Sequence, residues 1–420
     1  MSDISKKTLI IADHGLYTYV AQHLGKYFGK VQYLNPRAEP YSRSPQNNIG
    51  QGLPGVEFID NMWDYIDKAD CLFFPDIYDG ELQAFLREKG YLVCGAGKCE
   101  ILELDKAHFK EILDDVGLPV PYTYRAEGLD ETWEFLKDKE PGSYFVKNGE
   151  IHRGDWETVK FQNKYQFELY LNKKRQELGV RGNDIELLIE RKIKSACEVG
   201  PDGFMLDGVM APYSMVGYEV KDEGYVGKAF EKLPKIILDV NEKLKPVFQK
   251  IGGYAGPFSQ ELRITEGGKA YPIDLTCRCP SPPTGAELAV YGKSYAEAIW
   301  SLANGKMPEL KREDGDFGAE IVLASNWHEN NELHVGMPKD MKGIMLKNAV
   351  RRKGEYYCIP NDNAGVFGSV VGAGKTLKEA TDKCLDAVKE LDVFHLDWEE
   401  VIFDKAQETI ENGRKYGIDM

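Results

Sequence analysis

Short apolar strands alternate with amphipathic helices through the N-terminal part of the chain, and this alternation limits the folds that are open to it. The segments 8–13 (TLIIAD), 30–35 (KVQYLN) and 71–76 (CLFFPD) have strand patterns, and 81–90 (ELQAFLREKG) has a helix pattern. Buried strands that are separated by helices are typical of a parallel sheet with helices on its faces. Residues 1–103 are therefore predicted to form an α/β domain.

The remainder of the chain mixes helices with further strands. Helices are predicted over 104–117, which ends at a normal Gly and Pro stop signal, and over 229–250. Strands are predicted at 143–148 and 186–193. After residue 310 the pattern changes to that of a small α+β or barrel-like domain, residues 311–420.

A predicted hairpin at 258–278 carries the strongest candidate site, since its strands FSQELRIT and AYPIDLTCR flank the turn EGGK. Alternate strand residues face the same side, so Asp274, Thr276 and Arg278 would share one face, where Glu261 can join them. Two carboxylates, a hydroxyl and a guanidinium suit a Mg²⁺–phosphate site. A surface salt bridge between strands would produce the same pattern, and the spacing alone does not separate these interpretations.

Five further residues are candidates for contacts with the phosphates, adenine and ribose of a nucleotide. Lys106 opens a predicted helix and Lys147 ends a predicted strand, so both could contact phosphates. Ile193 could line an adenine slot, with backbone groups of its segment at the adenine edge. Glu190 and Glu198 flank Ile193, and Glu198 could accept hydrogen bonds from ribose hydroxyls. Taken alone, each position also fits an ordinary solvated lysine or surface acid.

Composition excludes several other classes of protein. The chain has 420 residues, 42% of them hydrophobic, which is enough for several packed units. No apolar run approaches the ~20 residues that cross a membrane, and no signal-peptide core is expected. The net charge of −15, without a strong local basic patch, argues against nucleic acid. The eight scattered cysteines are expected to be reduced thiols of a cytoplasmic protein.

The order of the candidate residues resembles that of the ATP-grasp superfamily and, within it, the phosphoribosylamine–glycine ligase (GAR synthetase) family. The segments SYFVK, LLIERKIKSACEV and QELRITEGGKAYPIDLTCRCPSP resemble that family's second ATP lysine, nucleoside segment and metal hairpin. The similarity runs over most of the chain. It implies a Rossmann-like domain at 1–103, a two-lobed ATP-grasp domain at 104–310 and a small C-terminal domain at 311–420.

The resemblance implies an ATP-dependent ligase that joins a carboxylate to an amine through an acyl-phosphate, as phosphoribosylamine and glycine are joined. It implies three groups of site residues, which are the ATP ligands Lys106, Lys147, Glu190, Ile193 and Glu198, the metal ligands Glu261, Asp274 and Thr276, and the catalytic Arg278. The cofactors would be ATP and Mg²⁺ or Mn²⁺. The partners would be a small-molecule amine and carboxylate, with no nucleic acid or membrane, and the protein would be a monomer or homodimer.

The ATP-binding part departs from the family at three places. Thr276 stands where the family has a metal-binding Asn, and Asp274 stands where it has a Glu. A hydroxyl and a shorter carboxylate are still ligands that Mg²⁺ accepts. The phosphate-covering loop, residues 148–159, has two glycines where the family's loop is rich in glycine.

The substrate-binding parts depart further. The first turn, ADHGLY, has one glycine and also Asp13, whose charge would repel a phosphate. The segment 216–234 replaces a Gly-rich substrate loop and offers Lys228 as a candidate anion contact. These departures leave two alternatives open. One is the same chemistry on another amine and amino acid, and the other is a nucleotide-binding regulator without turnover.

The segment GAGKT, residues 372–376, superficially resembles a P-loop. That motif requires a glycine at the position of Ser369, and it follows the first strand of a larger α/β core. We instead predict a tight turn from a strand to the amphipathic helix 375–391, with Thr376 as N-cap and Glu379 completing a capping box.

Overall fold

The computed structural model describes residues 3–35, 45–149, 158–338, 342–360 and 365–420. Its strands, in chain order, are β1 (Thr8–Ala12), β2 (Lys30–Leu34), β3 (Glu57–Phe58), β4 (Cys71–Phe73), β5 (Val93–Cys94), β6 (Thr123–Glu127), β7 (Tyr144–Asn148), β8 (Val159–Lys160), β9 (Glu186–Arg191), β10 (Ser195–Leu206), β11 (Val209–Met210), β12 (Met215–Val220), β13 (Gly224–Ala229), β14 (Ala255–Thr265), β15 (Ala270–Thr276), β16 (Phe317–Ser325), β17 (Leu333–Gly336), β18 (Ile344–Leu346), β19 (Ala349–Arg352), β20 (Glu355–Cys358), β21 (Val366–Gly374), β22 (Asp392–Val393) and β23 (Leu396–Asp397). Its α-helices are α1 (Thr18–Leu24), α2 (Gly80–Glu88), α3 (Ile101–Leu104), α4 (Lys106–Asp115), α5 (Gly128–Leu136), α6 (Lys164–Leu178), α7 (Lys235–Ile251), α8 (Thr284–Tyr291), α9 (Lys293–Ala303), α10 (Leu377–Lys389) and α11 (Ile402–Arg414).

These elements form two compact units. The first unit comprises Met1–Glu100, Glu198–Gln260 and Thr276–Met420, and the second comprises Ile101–Cys197 and Glu261–Leu275. The predicted division into three domains at residues 103 and 310 is a different partition of the chain and stays a prediction.

The first unit opens with the parallel sheet that the strand and helix alternation predicts. Its strand order is β3-β2-β1-β4-β5, and all four pairs of neighbouring strands are parallel. Side chains of β1 alternate between two apolar cores, Leu9 and Ile11 in one and Ile10 and Ala12 in the other. Burial on both faces is what a parallel sheet that is covered by helices requires. The prediction of a Rossmann-like α/β sheet is confirmed.

The rest of the first unit is built on antiparallel sheets. The larger one has the strand order β14-β10-β12-β13-β16-β21-β18, with α8 and α10 packed on β16 and β21. A smaller one has the order β19-β20-β17-β22. The larger sheet joins strands from before residue 310, which are β10, β12, β13 and β14, to the C-terminal strands β16, β18 and β21, so a separate C-terminal domain stays a prediction.

The second unit is a four-stranded sheet with helices on one face. The strand order is β6-β9-β7-β8, and all three pairs of neighbouring strands are antiparallel. Apolar residues of α5 and α6, such as Leu136 and Leu171, share one core with Val146 and Ile189 of the sheet. The end of β14 and most of β15 also belong to this unit, where they flank the predicted turn 266–269.

Two predictions about the segment from 216 to 250 are wrong. Residues 216–234 are not a loop, because β12 and β13 pair through the register Met215–Ala229 to Val220–Gly224. The long helix begins at Lys235 and not at Ala229. The N–H groups of Ala229 and Phe230 donate to carbonyls outside any helix, and the chain bends at residues 231–232 before the helix begins.

The turn at GAGKT is confirmed as a strand-to-helix connection. Strand β21 ends at Gly374, and Thr376 caps α10 by accepting a hydrogen bond from the N–H of Glu379 at 3.2 Å. The carboxylate of Glu379 accepts from the N–H of Lys375 at 2.7 Å, so the capping box is displaced by one residue from the usual arrangement.

Two findings concern the whole described chain. Among its helices, none combines the length and the hydropathy of a membrane span. All eight cysteines are buried.

Candidate functional site

One face of the second unit's sheet carries charged side chains. Val146 of β7 and Ile189 of β9 lie opposite each other, and both pack into the core under α5 and α6. Side chains alternate along a strand, so the residues that follow these two, Lys147 and Glu190, point to the other face. The Lys147 ammonium lies 3.2 Å from the Glu190 carboxylate, and both side chains are almost fully buried.

Helix α4 adds two more ammonium groups to this face. Asp105 caps the helix by accepting from the N–H of His108 at 2.8 Å, and the Lys106 N–H donates to the carbonyl of Gly149 at 3.0 Å. Lys106 and Lys110 are four residues apart and therefore lie on the same side of the helix.

Lys110 is held by two oxygens. Its ammonium lies 3.0 Å from the Glu190 carboxylate and donates to the carbonyl of Ile273 at 3.0 Å. Glu190 thus contacts both Lys110 and Lys147, so one buried carboxylate fixes the positions of two cations.

Asp274 of β15 connects the remaining cations. One carboxylate oxygen lies 3.0 Å from the Lys106 ammonium, and the other lies 3.1 Å from that of Lys147. The second unit therefore brings together three lysines and two carboxylates, a set that we call the lysine cluster: Lys106, Lys110, Lys147, Glu190 and Asp274.

The lysine cluster shifts the pKa values of its members. Burial by itself would raise the pKa of Asp274, but Lys106, Lys147 and Lys110 outweigh it and hold that pKa well below its usual range. Burial would likewise lower the pKa of Lys147, but Asp274 and Glu190 raise it above its ordinary value. Burial does lower the pKa of Lys110, against the attraction of Glu190. Burial would raise the pKa of Glu190, but Lys147 and Lys110 outweigh it and lower that pKa, so both carboxylates are ionised at neutral pH and Lys147 is protonated.

Glu261, the other predicted metal ligand in the second unit, lies at the edge of this set. Its carboxylate accepts from Nε of Arg263 at 3.2 Å, and its charge is among those that raise the pKa of Lys147. Across the described ranges, no group of three or more His, Cys, Asp or Glu side chains gathers as a metal cage. Mg²⁺ often takes only one or two protein carboxylates and completes its shell with phosphates and water, so Asp274 and Glu261 fit it.

The predicted adenine segment is partly engaged by the protein itself. Ile193 is half-buried in the connection between β9 and β10, and its carbonyl accepts from the N–H of Ser195 at 3.1 Å. The N–H of Arg191 donates to the carbonyl of Tyr122 at 2.8 Å. An adenine ring that bound here would have to pair with the carbonyl of Arg191 and the N–H of Ile193.

Three predicted site residues belong to the first unit. Glu198 on β10 and Thr276 at the end of β15 are half-buried. Arg278 donates to the Tyr17 hydroxyl at 3.0 Å, and its Nε lies 3.8 Å from the Asp76 carboxylate.

The other sequence candidates are placed as follows. Lys228 donates to the carbonyl of Asp419 at 2.9 Å and lies over the rings of Phe230 and Phe317. Its predicted role as an anion contact stays a prediction. Most of the phosphate-covering loop, residues 150–157, lies outside the described residues.

Lys110 was not predicted from the sequence as a site residue. A buried lysine is rare, so the base rate argues against singling one out. The available signal was its spacing of four residues from Lys106 on an amphipathic helix, which places the two ammonium groups on one face.

Comparisons with known proteins identify the fold. No protein-family model matches the sequence, and no curated protein matches it significantly. Among solved structures, phosphoribosylamine–glycine ligase from Thermotoga maritima is similar, with a TM-score of 0.69 and 17% identity over 93% of this chain and 98% of that one. The biotin carboxylase domain of 2-oxoglutarate carboxylase from Hydrogenobacter thermophilus, solved with Mg·ADP and bicarbonate, has a TM-score of 0.66 and 14% identity over 93% and 91% of the two chains.

A third similar structure is L-amino acid ligase from Bacillus licheniformis, with a TM-score of 0.56 and 14% identity over 93% of this chain and 99% of that one. These structures are ATP-grasp enzymes, and the likeness extends over nearly the whole of each chain. The chain therefore has the ATP-grasp fold. The resemblance that was drawn from the sequence segments is confirmed at the level of fold.

Proposed function

We propose that the protein is a Mg²⁺- and ATP-dependent ligase that joins a carboxylate to an amine through an acyl-phosphate. The observation that carries this proposal is the Asp274 carboxylate, which lies 3.0 Å from Lys106 and 3.1 Å from Lys147. A carboxylate between two ammonium groups is the arrangement that can bind a metal ion and anionic oxygens side by side. The structural similarity to phosphoribosylamine–glycine ligase and L-amino acid ligase supports the same class of reaction.

Charge supports a triphosphate as the ligand of the lysine cluster. The three ammonium groups of Lys106, Lys110 and Lys147 equal in number the carboxylates of Asp274, Glu190 and the nearby Glu261, so bound Mg²⁺ would make the site cationic. Lys106 and Lys147 would donate to phosphate oxygens, and Asp274 with Glu261 would hold Mg²⁺, which would supply further positive charge for the phosphates. Glu190 would stay with Lys110 and Lys147 and keep both lysines in place. Mn²⁺ accepts the same oxygen ligands and is the alternative metal.

The proposed reaction has two steps. A substrate carboxylate oxygen attacks the γ-phosphorus, and the bond to the β-phosphate oxygen breaks, so that ADP leaves. The amine nitrogen then attacks the acyl carbon, the bond to the phosphate breaks, and the nitrogen loses a proton. Bound Mg²⁺ would neutralise charge on the phosphates, and the lysine cluster would orient them.

The remaining assignments are also proposals. Ile193 and Glu198 would contact the nucleoside, Thr276 would assist the metal, and Arg278 would stabilise the transferring phosphoryl group. Phosphoribosylamine and glycine are the first substrate pair to test, since a similar structure has that activity in its name. We also propose that the protein works in the cytoplasm, as a monomer or homodimer.

The test is ADP production from ATP and Mg²⁺ with phosphoribosylamine, generated in situ, and glycine, followed by other amines and amino acids. Hydroxylamine replaces the amine in a parallel assay, because it traps an acyl-phosphate as a hydroxamate. We expect ADP release that requires both the metal and a carboxylate. Tight ATP binding without turnover for any pair would instead identify a nucleotide-binding regulator.

A further inference from the structure

The turn that follows β1 lies at the topological switch point of the parallel sheet. From β1 the chain continues to β2 on one side, whereas β4 lies on the other side of β1. In open parallel sheets, ligands bind outside the carboxyl ends of the two strands at such a point. Asp13, His14 and Gly15 follow β1 here, and Asp76 follows β4.

Asp13 is fully buried in this turn, and only one of its two carboxylate oxygens accepts hydrogen bonds. Its Oδ2 accepts from the N–H of Tyr17 at 2.9 Å and from the hydroxyl of Tyr33 at 2.6 Å. Its Oδ1 is buried and has no hydrogen-bond partner.

Asn348, in the connection from β18 to β19, faces the same turn. Its N–H donates to the carbonyl of Gly15 at 2.9 Å, and a β-carbon built on Gly15 would lie 3.2 Å from its Oδ1. The side chain is fully buried, and neither Oδ1 nor Nδ2 has a hydrogen-bond partner. Its backbone is left-handed, with φ of +49°. A buried amide without partners on a strained backbone is costly and is typical of functional positions.

The unpartnered atoms of Asp13 and Asn348 define what the turn can bind. They are two acceptors, Asp13 Oδ1 and Asn348 Oδ1, and one donor, Asn348 Nδ2. A phosphate offers acceptors only and would meet the Asp13 carboxylate. An ammonium group offers donors only and would leave Nδ2 without a partner. A pair of neighbouring hydroxyls both donates and accepts, so it can satisfy all three atoms.

We infer that Asp13 and Asn348 bind the hydroxyl groups of the amine substrate, and that this substrate is an unphosphorylated hydroxylated amine of the aminosugar or aminopolyol type. The inference rests on the proposed ligase function, since it names the amine that the reaction uses. Burial raises the pKa of Asp13 to about 6, against the hydrogen bonds from Tyr33 and Tyr17, so its carboxylate is ionised at pH 7.5.

The competing interpretation is a phosphorylated amine. Lys347 precedes Asn348, and Arg278 bonds to Tyr17, so two cations occur among the neighbouring residues. The two interpretations predict opposite changes in ligand affinity for the variant Asp13→Asn. Asp13→Asn removes a negative charge, which weakens binding of hydroxyl donors but strengthens binding of a phosphate.

The binding test uses stable ligands and does not depend on turnover. Isothermal titration would measure the affinities of 1-amino-1-deoxyribitol and of its 5-phosphate for the full chain, with Mg²⁺ and a non-hydrolysable ATP analogue present. The variants are Asp13→Asn, which keeps the shape of the side chain, and Asn348→Gly, which removes the amide and relieves the left-handed backbone. Asn241→Ala, which truncates a half-buried amide on α7, is the matched control.

We expect the unphosphorylated ligand to bind more tightly than its phosphate, and Asp13→Asn and Asn348→Gly each to weaken it about tenfold or more, with no such effect of Asn241→Ala. Preference for the phosphate, together with tighter phosphate binding in Asp13→Asn, would overturn the inference. The inference would also be overturned if neither variant changed the affinity for either ligand. That result is expected if a trapped water, and no ligand, bonds to the unpartnered atoms of Asp13 and Asn348. Hydroxamate formation with hydroxylamine tests the ligase function separately, since that assay does not use the hydroxylated amine.

Discussion

Asp274 belongs to the lysine cluster and is also the first of the proposed metal ligands. Asp274→Asn keeps the size of the side chain but removes the charge that Lys106, Lys147 and Mg²⁺ would share. We expect the rate of ADP production to fall about a hundredfold or more, equivalent to ~3 kcal/mol of transition-state stabilisation.

The matched control is Asp239→Asn. Asp239 pairs with Lys235 at 2.6 Å on the exposed surface of α7, where loss of a salt bridge changes little. Steady-state ADP release measures both variants. Turnover close to that of the unmodified protein in Asp274→Asn would remove Asp274 from the site.

Asp13 gives a prediction about stability and pH. Burial raises its pKa from 3.8 to about 6 in the folded protein, so folding favours the protonated form. Its contribution to the free energy of unfolding is therefore fully present below pH ~4 and is lost as the pH rises through about 6, by ~3 kcal/mol in total. Asp13→Asn cannot titrate, so relative to the unmodified protein it should gain stability between pH 4.5 and pH 7.5.

Urea unfolding at these two pH values measures the effect, because the difference between the two proteins cancels the other titrating groups. An equal difference at both pH values would show that Asp13 does not have a raised pKa. A gain in stability at pH 7.5 combined with weaker ligand binding is the trade-off expected of a functional residue.

The elements of this chain differ in how far the sequence predicts them. β1 and β4 are short apolar runs that are buried on both faces, so the sequence pattern predicts these strands and their parallel sheet directly. The start of α7 was misplaced because the sequence pattern of residues 229–234 is compatible with a helix, whereas tertiary hydrogen bonds of Ala229 and Phe230 keep this segment from forming one. Such contacts join residues that are distant in sequence, and no local pattern records them.

The same limit applies to the candidate site. Lys106, Lys147, Glu190 and Asp274 were found because each lies at a motif position on a predictable element. Asn348 was missed, since its significance comes from its contact with Gly15, more than three hundred residues earlier in the chain.

A comparison of two lysines on different elements tests the assignment of the nucleotide site. Lys147 lies near the end of the central strand β7 and is buried between two carboxylates, whereas Lys375 is exposed in the turn between β21 and α10. Lys147→Ala should abolish measurable ATP affinity, and Lys375→Ala should leave it unchanged. Equilibrium titration with a fluorescent ATP analogue measures both affinities. The opposite pattern would mean that the GAGKT turn binds the phosphates.

Over the whole molecule, the fold is much more similar to that of known ATP-grasp structures than the sequence is. The TM-score to phosphoribosylamine–glycine ligase is 0.69, although only 17% of residues are identical. Similar structures include a carboxylase domain and an amino acid ligase, so the fold itself does not select the substrates. We propose that substrate choice comes from local sites such as the turn after β1, where the chain departs from the sequence pattern of the family that it resembles.

The net charge of −15 gives a last prediction, because the proposed nucleotide ligand is also an anion. Long-range repulsion acts over about 30 Å at 0.01 M salt but only about 8 Å at 0.15 M. Lys106 is 22% exposed and Lys147 6%, and both face carboxylates, so their attraction is short-ranged and little screened. The association rate constant of a fluorescent ATP analogue with Mg²⁺ should therefore rise about two- to threefold between these salt concentrations, while its dissociation rate changes less. Stopped-flow measurements in both NaCl and KCl separate this screening from effects of a particular ion. An association rate that instead falls several-fold with salt would mean that the lysine cluster attracts the nucleotide from a distance, against the charge of the whole chain.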